Sequence, residues 1–215
     1  MPTASPDFPN LLVFDHPLIQ TKLTRARDRT TSPREFRGLL NEIGALMTFS
    51  ACRDLPTVAV DVETPLETAR GCRLERPLVL VPILRAGIGM TDGLLSLVPE
   101  ARVGHVGVYR DEKTLQPVQY YAKFPPDIAR SHVLVIDPML ATGGSAAYAM
   151  DLLKARGCTD LRLLCLVTAP PGVRTMLERH PDVPVLAAAL DRELDERGYI
   201  RPGLGDAGDR IFGTA

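Results

Sequence analysis

Phe36, Leu39, Leu40, Ile43, Leu46 and Met47 recur at three- and four-residue spacing, the period of one face of an α-helix. With Ser32 as N-cap and Pro33 at the first helical position, this spacing predicts an amphipathic helix over 33–54 whose apolar stripe faces a core. Val58, Val60 and Val62 then alternate with smaller or polar neighbours over 57–63. After the Thr64-Pro65 break a second extended stretch ends near Leu74, so a small β-hairpin is expected. Beyond it the pattern changes to short continuous apolar runs at 78–84, 103–109, 133–136, 161–168 and 183–190. They are too short for most helices and rich in Val, Ile and Leu, as strands buried on both faces should be. The intervening segments 87–97, 145–156 and 172–179 have helical periodicity. Strands alternating with helices predict a parallel sheet with right-handed crossovers.

One connection breaks the alternation. Residues 110–130 carry Glu112, Lys113, Pro117, Gln119, Tyr120, Tyr121, Pro125 and Pro126, with only a weak period-two stretch over 115–121. A segment this long with little helical character inside a compact domain is usually functional. It reads as an arm or lid that adds one antiparallel edge strand. The tail over 197–215, with glycines at 198, 203, 205, 208 and 213, reads as loop rather than regular element. Ile211 and Phe212 near its end argue against a free terminus. There is no internal repeat and no linker that splits the chain. One domain over 1–215 is expected, with N-terminal helices and hairpin over 1–76, a core sheet over 77–190 and the tail over 191–215.

Composition narrows the function classes. Of 215 residues, 45% are hydrophobic and 24% charged, which excludes a disordered or collagen-like chain. The 25 basic residues nearly cancel the 26 acidic ones, so there is no general attraction to nucleic acid or an anionic membrane. Any anion site must be local. Cys52, Cys72, Cys158 and Cys165 form no C-x-x-C pair and have no His at zinc spacing, so reduced thiols in a cytoplasm are expected. No apolar run approaches the ~18 residues of a membrane span, and the first ten residues lack a signal-peptide apolar region. His16, His105, His132 and His180 are scattered, with no Ser or Cys placed to form a nucleophilic triad.

The most informative stretch is His132-Val-Leu-Val-Ile-Asp137-Pro-Met-Leu-Ala-Thr142-Gly-Gly-Ser145. A buried strand ends in a carboxylate, a short loop supplies Thr, Gly, Gly and Ser, and a helix begins. Glycines let the backbone approach a ligand, and N–H groups at a helix start carry partial positive charge toward it. A phosphate fits there without a lysine, and the Thr142 and Ser145 hydroxyls can add hydrogen bonds. From Thr-Gly-Gly-Ser alone, an ordinary strand-to-helix turn with a Ser cap fits equally well. The Gly-Lys-Ser/Thr ending of a Walker A loop is absent. Asp137 shifts the balance, because a carboxylate beside a phosphate site needs other donors, and ribose hydroxyls are the natural ones.

Strand, acid, phosphate loop and helix together resemble the phosphoribosyl-diphosphate loop of the type I phosphoribosyltransferases. Pro-Ile-Leu-Arg85-Ala-Gly resembles the diphosphate-binding turn of the uracil branch of that family, and Val-Tyr-Arg110-Asp-Glu-Lys-Thr-Leu the start of its mobile arm. The tail Gly198-Tyr-Ile-Arg-Pro-Gly-Leu-Gly-Asp-Ala-Gly-Asp-Arg-Ile-Phe-Gly213 is similar to its base-binding segment. His16-Pro-Leu extends the likeness to nearly the whole chain.

This resemblance implies transfer of ribose 5-phosphate from 5-phospho-α-D-ribose 1-diphosphate (PRPP) to N1 of uracil, giving UMP and diphosphate. It places PRPP against Arg85, Arg110, Asp137, Pro138, Met139, Leu140, Ala141, Thr142, Gly143, Gly144, Ser145 and Asp206, and uracil against main-chain groups of Ile200, Gly205, Asp206 and Ala207. Arg85, Arg110, Asp137 and Asp206 are the candidate catalytic side chains, and Asp206 is the one carboxylate by motif near the N1 proton. Pro138 stands where many relatives have a second acid, so Mg²⁺ is expected to arrive on the diphosphate rather than on a protein metal site. The implied architecture is a three-layer α/β domain: five parallel runs in the order 2-1-3-4-5, an antiparallel edge strand and a small hood over the base, with ligands at the carboxyl ends where the order reverses. Homo-oligomerisation as dimer or tetramer and a GTP effector are implied as well, whereas no nucleic acid or membrane partner is. The competing reading is an RNA-binding, nucleotide-sensing regulator of the same fold. It requires a basic face that the charge balance does not offer.

Overall fold

A computed structural model describes residues 2–110 and 117–214. Its elements in chain order are β1 (Leu11–Val13), α1 (Pro17–Arg27), α2 (Pro33–Ala51), β2 (Thr57–Glu63), β3 (Thr68–Leu74), β4 (Leu78–Leu84), α3 (Ile88–Leu97), β5 (His105–Arg110), β6 (Pro117–Lys123), β7 (His132–Ile136), α4 (Gly144–Lys154), β8 (Leu161–Thr168), α5 (Pro170–Arg179), β9 (Val185–Leu190) and α6 (Ala207–Phe212). The main sheet runs β1-β9-β8-β7-β4-β5-β6. All neighbours in it are parallel except β5 and β6, which pair antiparallel with a register shift between Gly107 and Val108. The five apolar runs therefore lie in the order 2-1-3-4-5, and the arm supplies the antiparallel edge.

Alternation along each strand builds the three layers. Leu78 and Leu80 of β4 join the core beneath α1, α2, α3 and α6, whereas Val79, Val81 and Ile83 join the core beneath α4 and α5. Burial on both faces is why these strands read as unbroken apolar runs. In α2, Ser32 Oγ accepts from Glu35 N at 3.3 Å, and Phe36, Leu39, Leu40, Ile43 and Met47 are buried. The hairpin β2–β3 pairs Thr57 with Leu74 through Glu63 with Thr68 and stands apart from the main sheet.

Several details differ from the expectation. Helix α1 and strand β1 were not apparent from the sequence, since α1 buries only Ile19, Leu23 and Ala26 and β1 has three residues. The run over 103–109 is split at Gly104, with Arg102–Val103 and His105–Arg110 pairing separately with β4. The tail is not all loop. Ile200–Arg201 pairs antiparallel with Glu193–Leu194, and Ala207–Phe212 is a helix. Asp206 caps that helix at its N-terminus, and Gly213 closes it in the left-handed conformation at φ +67°. Two end signals and one apolar side, with Ala207 and Ile211 buried, suffice for six residues among glycines.

Candidate active site

Strands β4 and β7 are neighbours at the point where the strand order reverses, and the loops leaving their carboxyl ends face the crevice there. The loop after β7 is tied down on its far side. Leu166 N and Val167 N both donate to Pro138 O, at 3.0 and 3.1 Å, and Met139–Leu140 pairs parallel with Val167 and Thr168. Gly143 has φ +84°, and a Cβ there would lie 2.8 Å from Thr175 Cβ and 2.9 Å from Gly172 O, so a side chain is excluded on both counts. Thr175 Oγ1 also donates to Thr142 O at 2.8 Å. No side chain caps the start of α4, which leaves its first N–H groups to the concavity of about 90 Å³ bounded by Asp137, Thr142, Gly143, Gly144 and Ser145. Met139, Leu140 and Ala141 complete its wall.

Asp137 follows β7 directly. It is half-buried, and its Oδ1 accepts from Met139 N at 3.3 Å. Loss of solvation around the carboxyl outweighs that bond and pushes its pKa up to about 7. Pro138 behind it is buried. Among the described residues, no group of three or more His, Cys, Asp or Glu gathers to form a cation cage.

Arg85 follows β4 across a cis Leu84–Arg85 peptide. Its side chain is 61% exposed, with Nη2 3.7 Å from Asp209 Oδ1 and the guanidinium 5.7 Å from the Phe212 ring centroid. The tail helix α6 is thereby brought to the end of β4. A Cβ on Gly208 would lie 3.9 Å from Arg85 Nη2 and 3.2 Å from Asp206 Oδ1, so both side chains approach the same glycine. Asp206 is exposed, and its Oδ1 accepts from Asp209 N at 2.9 Å. The side chain of Arg110, at the end of β5, lies outside the described residues.

The tail before α6 borders an open depression of about 770 Å³ lined by Glu193, Asp195, Tyr199, Ile200, Arg201 and Gly205 among others. Ile200 and Gly205 thus share one depression, while Asp206 and Ala207 open the adjacent helix. Asp195 shapes the wall. Its carboxylate accepts from Arg197 N, Tyr199 N and the Arg201 guanidinium at 2.7–3.0 Å, and these bonds hold it below the usual carboxylate range. The sequence offered no sign of Asp195, since its partners meet only in the folded turn. The remaining His–Asp pairing of note, His132 Nδ1 to Asp160 Oδ2 at 2.6 Å, starts β7 and so lies at the opposite end of the sheet.

A glycine-built loop and a strand-end carboxylate at the reversal point of a parallel sheet, with the tail beside them, define the phosphoribosyltransferase type of fold. A solved protein from Aquifex aeolicus superposes with a TM-score of 0.91 at 34% identity, covering 95% of this chain and 99% of that one. An adenine phosphoribosyltransferase from Trypanosoma brucei, at 14% identity and a TM-score of 0.57 over 87% of each chain, shares the fold alone. A family model described as Uracil phosphoribosyltransferase matches residues 13–214. Proteins of that name from Halalkalibacterium halodurans and Dictyoglomus thermophilum are 58% and 55% identical, covering 94% and 95% of this chain and 97% and 99% of theirs. The chain belongs to the uracil phosphoribosyltransferase family.

Proposed function

We propose that this protein is an enzyme that transfers ribose 5-phosphate from PRPP to N1 of uracil, releasing diphosphate and forming UMP. The observation that carries this is the uncapped start of α4 behind Gly143, one short loop after a strand-end Asp137, in a chain matching one family over residues 13–214. As the bond to the diphosphate breaks, the anomeric carbon becomes cationic and the leaving group gains negative charge. Donors aimed at the diphosphate therefore act most strongly in the transition state, where they raise the rate.

In this reading the N–H groups from Gly143 to Ser145, with the Thr142 and Ser145 hydroxyls, hold the 5-phosphate. Asp137 accepts from the ribose hydroxyls. Arg85 and Arg110 hold diphosphate oxygens through paired guanidinium bonds. Ile200, Gly205, Asp206 and Ala207 present main-chain donors and acceptors to the uracil carbonyls and N3–H. Cytosine is rejected because its exocyclic amine meets a donor, at about 1–3 kcal/mol for the unpaired group. Asp206 stands nearest the N1 proton. Mg²⁺ bound with the diphosphate would supply neutralisation of part of its charge, with Asp206 the carboxylate placed by motif to meet its water shell.

The segments 1–76, 77–190 and 191–215 act as one catalytic domain in this proposal. The hairpin β2–β3, exposed along nearly its whole length, pairs with a second copy of the chain, because an isolated two-stranded hairpin is marginal in water. A cytoplasmic location and a GTP effector belong to the same reading, the latter tested by titrating GTP into the assay. No helix among the described residues is long and apolar enough to cross a membrane. The RNA-binding alternative draws no support from relatives named for uracil transfer.

The deciding experiment mixes the protein with PRPP, Mg²⁺ and each free base and follows nucleotide formation. UMP from uracil alone is the expected result. Conversion of another base with none of uracil overturns the assignment.

A further inference from the structure

A base site that reads its ligand with main-chain groups has a particular weakness. Its own side chains cannot tune it, so its geometry must be set from behind. In this protein the backing is a pair of residues 164 positions apart. Arg27, the last residue of α1, donates from Nη1 to Asp191 Oδ2 at 2.8 Å and from Nη2 to Asp191 Oδ1 at 2.7 Å, a two-pronged bond. Asp191 directly follows β9 and is fixed to the sheet through its own N–H, which donates to Thr168 O at 2.7 Å.

The pair captures both main-chain polar groups of one residue. Gly203 N donates to Asp191 Oδ2 at 2.9 Å, and Gly203 O accepts from Arg27 Nη1 at 2.9 Å. Gly203 stands between Ile200 and Gly205, inside the base-reading segment. Its φ is +66°, and a Cβ there would fall 2.1 Å from Ile200 O, so this backbone shape is available to glycine alone. The next residue is anchored to the same helix end. Arg210 Nη1 donates to Leu204 O at 2.8 Å and to Ala26 O at 2.6 Å. Neither Arg27 nor Asp191 lines the 770 Å³ depression.

Asp191 is 5% exposed and Arg27 24%. An ion pair this buried is a poor way to gain stability, because desolvating both charges offsets much of their attraction. It is a good way to fix direction, since a guanidinium and a carboxylate match only in one plane.

We propose that Arg27 and Asp191 are positioning residues for base recognition: they set where the main chain of Gly203 to Gly205 meets uracil, and so govern affinity and selectivity for the base without touching it. This rests on the base-site assignment above. The test is steady-state kinetics of Arg27→Lys, which keeps the charge and loses the fork, and of Asp191→Asn, with uracil and PRPP varied separately. A displacement of about 1 Å at a recognition site costs up to about 100-fold. The KM for uracil is expected to rise about 10-fold or more, with the KM for PRPP held within about twofold and the preference for uracil over cytosine narrowed. A variant in which both KM values and kcat shift by a common factor, or only thermal stability falls, reduces the pair to a structural brace and overturns the proposal. If Asp191→Asn does not fold, Arg27→Lys decides alone. Wild-type protein that fails to convert uracil would instead remove the base-site assignment, an outcome visible before any variant is made.

Discussion

Asp137 carries two demands that pull its pKa in opposite directions. Burial raises it to about 7, whereas in the proposed site ribose hydroxyls donating to the carboxyl would favour the ionised form. Between about pH 4 and 7 the folded chain holds this proton more tightly than the unfolded chain does, so this group's contribution to stability falls as pH rises through that window. Ligand binding in the proposed manner would reverse the preference and expel the proton. UMP affinity is therefore expected to rise with pH up to about 7 and then level off, with proton release measurable at pH 6.5 by calorimetry in two buffers of different ionisation enthalpy. The ligand's own phosphate also titrates near pH 6, so the comparison is with Asp137→Asn, which keeps an oxygen for Met139 N. Equal proton release by both proteins would take Asp137 out of contact with the ribose. Asp137 could be singled out in the sequence because carboxylate, glycines and helix are contiguous. Arg27 and Asp191 could not, because neither has a local pattern and the two meet only through the fold.

Among the elements, legibility followed length and two-sided burial. Strands β4, β7, β8 and β9 are mainly apolar because helices cover both faces, and α2 repeats its buried spacing over five turns, so both kinds announce themselves. Helix α6 is too short for a period to show, and its glycines read as loop until Asp206 is recognised as a cap. The ligand role proposed for Asp206 beside its capping role makes a sharp test. Asp206→Ala loses the bond from Asp209 N and is expected to cost about 1 kcal/mol of stability along with activity. Asp206→Asn keeps a capping oxygen and removes the charge. Near wild-type melting with kcat/KM lowered about 10-fold or more is expected for it, since the lost contact is between a charged group and the ligand. If Asp206→Asn works as well as wild type, Asp206 is a cap and nothing more.

At the level of the whole molecule, right-handed crossovers limit how five parallel runs can be arranged, and the resemblance, not the runs themselves, implied the order 2-1-3-4-5 that the sheet has. Strand β1 escaped notice, yet it and Thr3–Ala4 extend the sheet beyond β9, so the N-terminus closes one edge just as β6 closes the other. The hairpin β2–β3 has no such cover. Val62 and Leu66 are 47% and 96% exposed, and among the described residues no third strand pairs with either arm. Two strands without a covered face do not hold their shape in water unaided, so a second copy of the chain is the expected cover. Val62→Asp combined with Leu66→Asp places charge where that contact would form and leaves the main sheet untouched. Light scattering should then show wild-type protein at a multiple of the monomer mass and the double variant shifted toward the monomer, with the melting of the main domain preserved. A wild-type monomer, or a variant whose mass does not change, would mean that the hairpin is not the surface through which copies meet.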